Sequence, residues 1–384
     1  MTREEFLTLC RDDVRIAIEC NIDREPTAIA LDARVVERRV VASQVKNLQR
    51  CRLKHPTLYA ARCILPDRSV EQSSSEACAA AKPLRGESLL DMTCGLGGDT
   101  IELSRRFSHV VALERDEVLA DVVRENLRRL GITNVDVVTA SAEEYLERCD
   151  EHFSAIIVDP DRRISERRSV RLEDSSPNVV ALMPRMRQVA EQIAIKCSPL
   201  FDVDEARRLF ADCSVEVVSL RGECKEVNIY IGLSEPHLSA VAVGRARYDA
   251  RCESIGELPL PESFRASDYR YLITPDVALQ KARLVRHSLC GVADCWSENS
   301  FGFAMQSVEG RIDVVGRVEP IRSIEPLDWK SLKRRYGGRG VDIVLRDCPL
   351  DVKLIHKRLS TRSGSDYRLA FTRICGTIYC ICLG

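Results

Sequence analysis

The sequence predicts an α/β protein whose centre is a Rossmann-like, mostly parallel seven-stranded sheet with an antiparallel last strand, preceded by a helical N-terminal part and followed by two small α+β modules. Three observations predict it. Over residues 1–66, apolar side chains such as Phe6, Leu7, Cys10, Val14 and Ile18 recur at helical spacing without strand signals. From Ser88 to Gly232, short apolar runs (SLLDM, HVVALE, VDVV, SAIIVD, QIAIKC, VEVVSL, VNIYIGL) alternate with amphipathic stretches, as in a parallel sheet flanked by helices. The last two runs are separated only by RGECKE, too short for a helical crossover, so they pair as a hairpin and the final strand runs antiparallel.

At 384 residues the chain is too long for one ordinary core. The expected division is a helical region over 1–66, the α/β domain over 67–252, a polar, proline-containing linker near Glu253–Ser267, and modules over 268–313 and 314–384. With 45% apolar and 30% charged residues, the composition is that of a globular chain. The net charge of −1 hides an asymmetry: Val314 to Gly384 carries 14 Lys and Arg against 7 Asp and Glu, so the remainder is acidic. A basic module on an acidic body points to contact with a polyanion, and a solvated charged face is the plain alternative.

The opening MTREEFLTLCRDDVR is charged from its third residue and does not read as a secretory signal. No run approaches the ~18 apolar residues of a membrane span. A cytoplasmic protein without membrane contact is expected. Its 17 cysteines are scattered and odd in number, form no CxxC pair, and read as reduced, mostly buried thiols. Neither Cys290 with Cys295 nor Cys380 with Cys382 has zinc-ligand spacing, so no metal is expected.

The segment LLDMTCGLGGDTIELS, Leu89 to Ser104, reads as a buried strand ending in Asp91, a turn through Thr93, Gly95, Gly97 and Gly98, and a helix beginning near Asp99. Glycines there allow unusual dihedrals and let a ligand lie against the main chain. A dinucleotide fingerprint is the competing reading, but its six-residue frame from Gly95 ends in Thr100 where Gly or Ala is required. Asp91, four residues before Gly95, instead completes D-x-x-x-G-x-G, the pattern of S-adenosylmethionine-dependent methyltransferases. The next strand ends in Glu114, whose carboxylate can accept both ribose hydroxyls. The third leads to Ser141, Ala142 and Glu143, which can meet an adenine edge, while Ser141 with Glu144 also fits a capping box. Upstream, Gln72 and Ser74 within EQSSSE can cap a helix or close over the methionine carboxylate.

The fourth strand ends in IIVDPDRR, which places Asp159, Pro160, Asp161, Arg162 and Arg163 beyond the carboxyl end of a sheet strand, where the methyl group is expected. Amino-group methyltransferases have D/N-P-P-Y/F here; this sequence keeps Asp159 and Pro160 and lacks the second proline and the aromatic ring, leaving the acceptor atom open. Arg162 and Arg163 can stack on a base or grip phosphates, or pair with Glu166 or Glu173. Cys197 stands where uracil C5 methyltransferases carry a nucleophile. Many cysteines and no neighbouring base favour an inert thiol instead.

Together, EQSSSEACAAAKPL, DMTCGLGGDT, VDPDRR, GECKE and the tail from GRVEP through WKSLKRRYGGRG to YCICLG resemble a bacterial family of class I S-adenosylmethionine-dependent methyltransferases. Members carry a ferredoxin-like unit and a C-terminal THUMP-like domain. The resemblance covers most of the chain and implies that 268–313 is the former and 314–384 the latter. True THUMP domains, paired with ferredoxin-like domains, deliver transfer RNA to modifying enzymes; here the pair follows the catalytic core. Independently of that resemblance, Lys330, Lys333, Arg334, Arg335 and Arg339, with Trp329, Tyr336 and a Gly-Gly turn, form a basic stretch with aromatic neighbours suited to RNA, a basic helix end being the alternative. The expected activity is methylation of a base in structured RNA, transfer RNA first; DNA or protein substrates and a non-catalytic RNA-binding protein are the alternatives.

Overall fold

The computed structural model describes residues 1–161, 171–233, 235–308 and 315–384. The chain divides into two compact units, Met1–Cys213 with Val227–Ser234 and Ser214–Glu226 with Glu235–Gly384.

In the first unit, helices Arg3–Cys10, Asp12–Cys20, Pro26–Leu31, Arg38–Cys51 and Pro56–Ala60 build the N-terminal layer. Val41, Val45, Leu48 and Cys51 fall on one face of Arg38–Cys51 at helical spacing and are completely buried. Gln44 and Asn47 share that buried face because their amides donate to the carbonyls of Cys63 and Leu65 at 2.7 and 2.8 Å. Asn126, buried in helix Glu117–Leu130, satisfies both backbone groups of Ile64 at 2.7 and 2.9 Å and so ties the helical layer to the α/β part. That helix starts on the side chain of Asp116 and stops at Gly131, where φ is 67°.

Strands β1 (Ser88–Asp91), β2 (His109–Glu114), β3 (Val135–Thr139), β4 (Phe153–Val158) and β5 (Ala190–Cys197) run parallel in the order β3-β2-β1-β4-β5. The next two strands are β6 (Ser214–Leu220) and β7 (Glu223–Ile231), joined by Arg221 and Gly222 with φ of 56° and 80°, a two-residue turn with both residues left-handed. As the short link predicts, β7 runs antiparallel, pairing with β5 from Ile193↔Ile231 to Cys197↔Val227. β1 lies between β2 and β4, so the strand order reverses there. The crevice beyond the carboxyl ends of these three strands is the ligand position of a doubly wound sheet.

In the second unit β6 is parallel to β8 (His237–Ala242), which pairs antiparallel with β9 (Ala246–Arg251). These last two lie beyond the seven legible runs; Gly244, with φ 72° in their connection, was the available turn signal. β10 (Tyr271–Pro275), β11 (Gly302–Ala304), β12 (Gly316–Pro326), β13 (Gly340–Leu345), β14 (Arg362–Ser363), β15 (Tyr367–Ile374) and β16 (Thr377–Leu383) form one sheet in the order β11-β10-β12-β16-β15-β13-β14. Helices Trp329–Tyr336 and Val352–Leu359 bury Leu332, Tyr336, Ile355 and Leu359 with Val341, Leu369 and Phe371. Phe264, from the polar linker, packs among Tyr269, Trp296, Phe303 and Tyr379 with ring centroids 4.9 to 5.4 Å away, an aromatic cluster that fixes the linker's end. Among the described residues no helix is long and apolar enough to cross a membrane, and no three His, Cys, Asp or Glu side chains gather to hold a metal ion.

Candidate active site

The glycine turn is fastened to both neighbouring strands. Met92 N–H donates to the Ile157 carbonyl of β4 at 2.9 Å and Cys94 N–H to the Leu113 carbonyl of β2 at 2.8 Å. Between these anchors the chain must reverse tightly, and Gly95 and Gly97 take φ of 55° and 84°, values that side chains with a Cβ rarely adopt. Asp91 holds the turn from inside, accepting from Thr93 N–H at 3.0 Å and from the Thr100 hydroxyl at 2.5 Å. Thr100, the departure from the dinucleotide frame, is thus the partner of Asp91.

Glu114 closes the same turn from β2: one oxygen accepts from Gly95 N–H at 3.0 Å, the other from Asp116 N–H at 2.8 Å. The Asp159 N–H, at the end of β4, donates to the Thr93 hydroxyl at 2.7 Å. Three adjacent strand ends are therefore interlocked through these side chains. Burial pushes the Asp91 carboxyl up to about 7, opposed by its two hydrogen bonds and reinforced by the charges of Asp99 and Asp159. Burial also raises Glu114, against the backbone donors of Asp116 and Gly95. Two desolvated acids at adjacent strand ends of one cavity favour a ligand bringing positive charge or hydroxyl donors.

They line a cavity of about 540 Å³, within the range of small-molecule sites. Of the expected cofactor residues, Asp91, Thr93, Gly95, Glu114, Ser141, Ala142, Glu143, Gln72 and Ser74 line it. Gly97 does not: it is the N-cap of helix Gly98–Leu103, and a Cβ there would meet Ile101 at 3.3 Å, so its contribution is the backbone turn. Ser141 forms the capping box with Glu144 and still borders the cavity, so both expectations for it are compatible. The cap of helix Glu76–Ala81 is Ser75, whose side chain accepts from Cys78 N–H at 3.2 Å; Ser74 instead donates to Asp99 at 2.9 Å.

Lys82, His55 and Ser73, none of them singled out in the sequence, support this wall from behind or within it. Asp99 takes the Lys82 ammonium at 2.7 Å. Burial pulls its carboxyl up, but Lys82, then Lys196, hold it below the usual range. His55 Nε2 lies 2.8 Å from the Ser73 hydroxyl, and burial, with nearby Lys54, lowers its imidazole to about 4, so it is neutral at physiological pH. A Cβ on Gly98 would approach the Ser74 carbonyl to 3.2 Å; this glycine lets the 73–74 segment pass close over the turn. The doubled glycine in GLGG was the one signal for that approach.

On the acceptor side, Asp159, Pro160 and Asp161 all line the cavity. Asp161 exchanges two backbone hydrogen bonds of 2.8 Å with Ser176, which also lines the cavity. Lys196 forms an ion pair with the Asp159 carboxylate. Arg162, Arg163 and Glu166 lie outside the described residues; Glu173 sits 3.7 Å from Arg171. Cys197 is buried and absent from the lining formed by its neighbours Lys196 and Ser198, as the alternation of a strand requires. Cys94 does line the cavity, but burial raises its thiol far above the ordinary value.

In the second unit, Lys330, Lys333, Arg334, Arg335 and Arg339 are all exposed, the first four on helix Trp329–Tyr336 and the last beyond it. Arg335 is held by Glu325 through two bonds of 2.8 and 3.0 Å. The Arg358 guanidinium lies 5.2 Å above the Trp329 ring, extending the basic face to the neighbouring helix.

The family model described as conserved hypothetical protein 95 matches residues 68–166, the stretch holding the glycine turn and β1 to β4. An uncharacterized S-adenosylmethionine-dependent methyltransferase of Mycobacterium tuberculosis is 26% identical over 235 residues, 60% of this chain and 63% of its own. A tRNA/tmRNA (uracil-C(5))-methyltransferase of Neisseria meningitidis is 28% identical over 162 residues, 36% of this chain and 44% of its own. The chain thus spans less than two thirds of the length of these curated relatives. Among solved structures, a "putative methyltransferase" from Porphyromonas gingivalis W83 matches with a TM-score of 0.83 at 24% identity, over 100% of this chain and 98% of that one. The two share one fold: a mostly parallel α/β core with a helical N-terminal part and an additional C-terminal sheet.

Proposed function

We propose that the chain is a cytoplasmic S-adenosylmethionine-dependent methyltransferase acting on a base in structured RNA, with transfer RNA the first candidate substrate. The observation that carries this reading is the interlocking of Asp91, Glu114 and Asp159 around one cavity at the switch point of the sheet. The relatives' names support the cofactor, and the uracil-C5 methyltransferase name together with the basic helix supports RNA.

In this reading Gln72, Ser74, Asp91, Thr93 and Gly95 take the amino-acid end of the cofactor, Gly97 shapes the turn, Glu114 takes the ribose hydroxyls, and Ser141, Ala142 and Glu143 border the adenine. S-adenosylmethionine supplies an electrophilic methyl group on a sulfonium. Asp159, Pro160, Asp161 and Arg162 orient the acceptor, and alignment is the chief demand on them. Burial raises the Cys94 thiol well above its ordinary value and Cys197 does not line the cavity, which supports transfer without a covalent adduct to the protein. Lys330, Lys333, Arg334, Arg335 and Arg339 hold RNA phosphates. The ferredoxin-like unit over 268–313 and the THUMP-like domain over 314–384 belong to the same proposal, as does catalytic function for 67–252 after the helical 1–66.

Purified protein should bind S-adenosylmethionine in calorimetry and transfer labelled methyl groups to total RNA from cells lacking it. Label removed by DNase or protease but not RNase would move the substrate to DNA or protein. Absence of cofactor binding would leave a non-catalytic RNA-binding protein.

A further inference from the structure

A second cavity, of about 250 Å³, lies within the second unit and brings three arginines together: Arg245 from the β8–β9 turn, Arg317 from β12 and Arg346 after β13. Arg346 is the informative one. Its guanidinium donates to the Gln280 side-chain carbonyl and, at 3.3 Å, to the Pro275 carbonyl, both neutral acceptors. Among the described residues it has no carboxylate in ion-pair contact, and burial holds its pKa below the ordinary value against the pull of Asp276. A half-buried guanidinium satisfied only by neutral groups retains its full charge and most of its demand for an anion.

The other charges leave that demand unmet. Asp276 lines the cavity as well: its Oδ1 accepts from the Ser219 hydroxyl at 2.5 Å and from Ala278 N–H at 2.9 Å as a helix cap, and among the described residues it forms no ion pair with the three arginines. Arg317 meets Glu319 at 3.0 Å, yet Glu319 also takes Arg368 at 3.0 Å, so one carboxylate serves two guanidinium groups. Arg245 is exposed and makes no ion pair among the described residues. Gly222 borders the cavity with no side chain to fill it, and a Cβ there would meet nothing within 4 Å. Forked guanidinium donors converging on an open space match the oxygens of a phosphate.

We propose that this cavity is a phosphate-binding site, taking either a free phosphate or a phosphodiester of a nucleic-acid backbone through Arg245, Arg317 and Arg346. The site is independent of the methyl-transfer reading.

The test uses the full-length protein in chloride buffer, with inorganic phosphate and a short RNA oligonucleotide as probes, and the variants Arg245→Ala, Arg317→Ala and Arg346→Gln. Calorimetry on the wild type should show saturable binding of one probe, weakened by about tenfold or more in the variants, the scale expected for one lost charge-assisted hydrogen bond. Phosphate binding lost in the variants identifies the free ion as ligand; RNA binding weakened without phosphate binding identifies the backbone. If Arg346→Gln does not fold, the surface variants Arg245→Ala and Arg317→Ala decide alone. The proposal is overturned if neither probe binds the wild type, or if wild type and variants bind equally. S-adenosylmethionine affinity measured on the same preparations is expected to be unchanged, so a failure of the methyltransferase reading would register there and not in the phosphate arm.

Discussion

The ammonium of Lys196 is ion-paired with the carboxylate of Asp159, joining the ends of adjacent strands β4 and β5 at the cavity wall. The side chains are 12% and 35% exposed, so water screens the pair only partly and the carboxylate is held in one orientation. Asp159→Asn and Lys196→Met should each lower methyl transfer by roughly tenfold or more, with cofactor affinity much less changed. Because the partners act through one another, the double variant should fall short of the product of the two effects. Fully multiplicative losses in steady-state rates would show that the pair does not act as a unit.

Glu114→Ala should weaken S-adenosylmethionine binding by on the order of 1–3 kcal/mol, through loss of a charged acceptor. Glu114→Gln, which keeps one oxygen for Gly95 N–H, should lose less. A dissociation constant unchanged in both variants would remove Glu114 from the cofactor site.

The pH dependence should carry the signature of Asp91, raised from 3.8 to about 7 by burial. Its folded value exceeds its unfolded one, so the native state binds the proton more readily. Its stabilising contribution is complete below the unfolded value and is lost as pH climbs from 3.8 to about 7. Denaturant unfolding of Asp91→Asn across that window should therefore decline less with pH than the wild type. Cofactor binding should run the other way: a bound cation favours the ionised carboxylate, so wild-type affinity should rise as pH passes through about 7 and that of Asp91→Asn should stay level. Parallel profiles would assign the titration to another group.

Replacing Lys330, Lys333 and Arg334 together by Ala should lower RNA affinity across sequences. The slope of log affinity against log salt should flatten by roughly two to three, as expected for three lost phosphate contacts on paired or single-stranded segments. Arg335→Ala should cost less, because Glu325 already holds that guanidinium. Filter binding over a salt series separates the two cases, and a level affinity in the triple variant would reduce this helix to ordinary surface.

Gly232→Ala should destabilise the protein by on the order of 2 kcal/mol or more, since φ is 78° and a Cβ would sit 2.1 Å from the Glu191 carbonyl oxygen. Thermal unfolding measures this directly. An unchanged midpoint would mean that the end of β7 can shift at little cost.

Much of the candidate site was legible because buried parallel strands leave uninterrupted apolar runs, and the polar residue ending each run marks where the sheet presents its carboxyl end. Asp91, Glu114 and Asp159 were found that way, and Gly95 with Gly97 by the dihedrals that a tight turn demands. The partners of these residues were not legible. Lys196 is 37 positions from Asp159, and Ser74 is 25 from Asp99. Such pairings depend on which strands become neighbours. Thr100, counted first as a departure from one fingerprint, proved to be the hydrogen-bond partner of Asp91. The strands β8 and β9 were missed because their alternation is weak beside the long apolar runs before them.

By itself the sequence determined the local geometry: where strands end, where the chain turns back through glycine, that a helix caps on Ser141, and which helix carries a basic face. Only the tertiary structure decided that the Arg346 guanidinium meets Gln280 and a carbonyl but, among the described residues, no carboxylate, that Cys197 does not line the cavity beside Lys196, and that Lys196 meets Asp159. Local conformation follows from sterics and burial period within a few residues, whereas charge pairing and desolvation depend on groups that only folding brings within hydrogen-bonding reach.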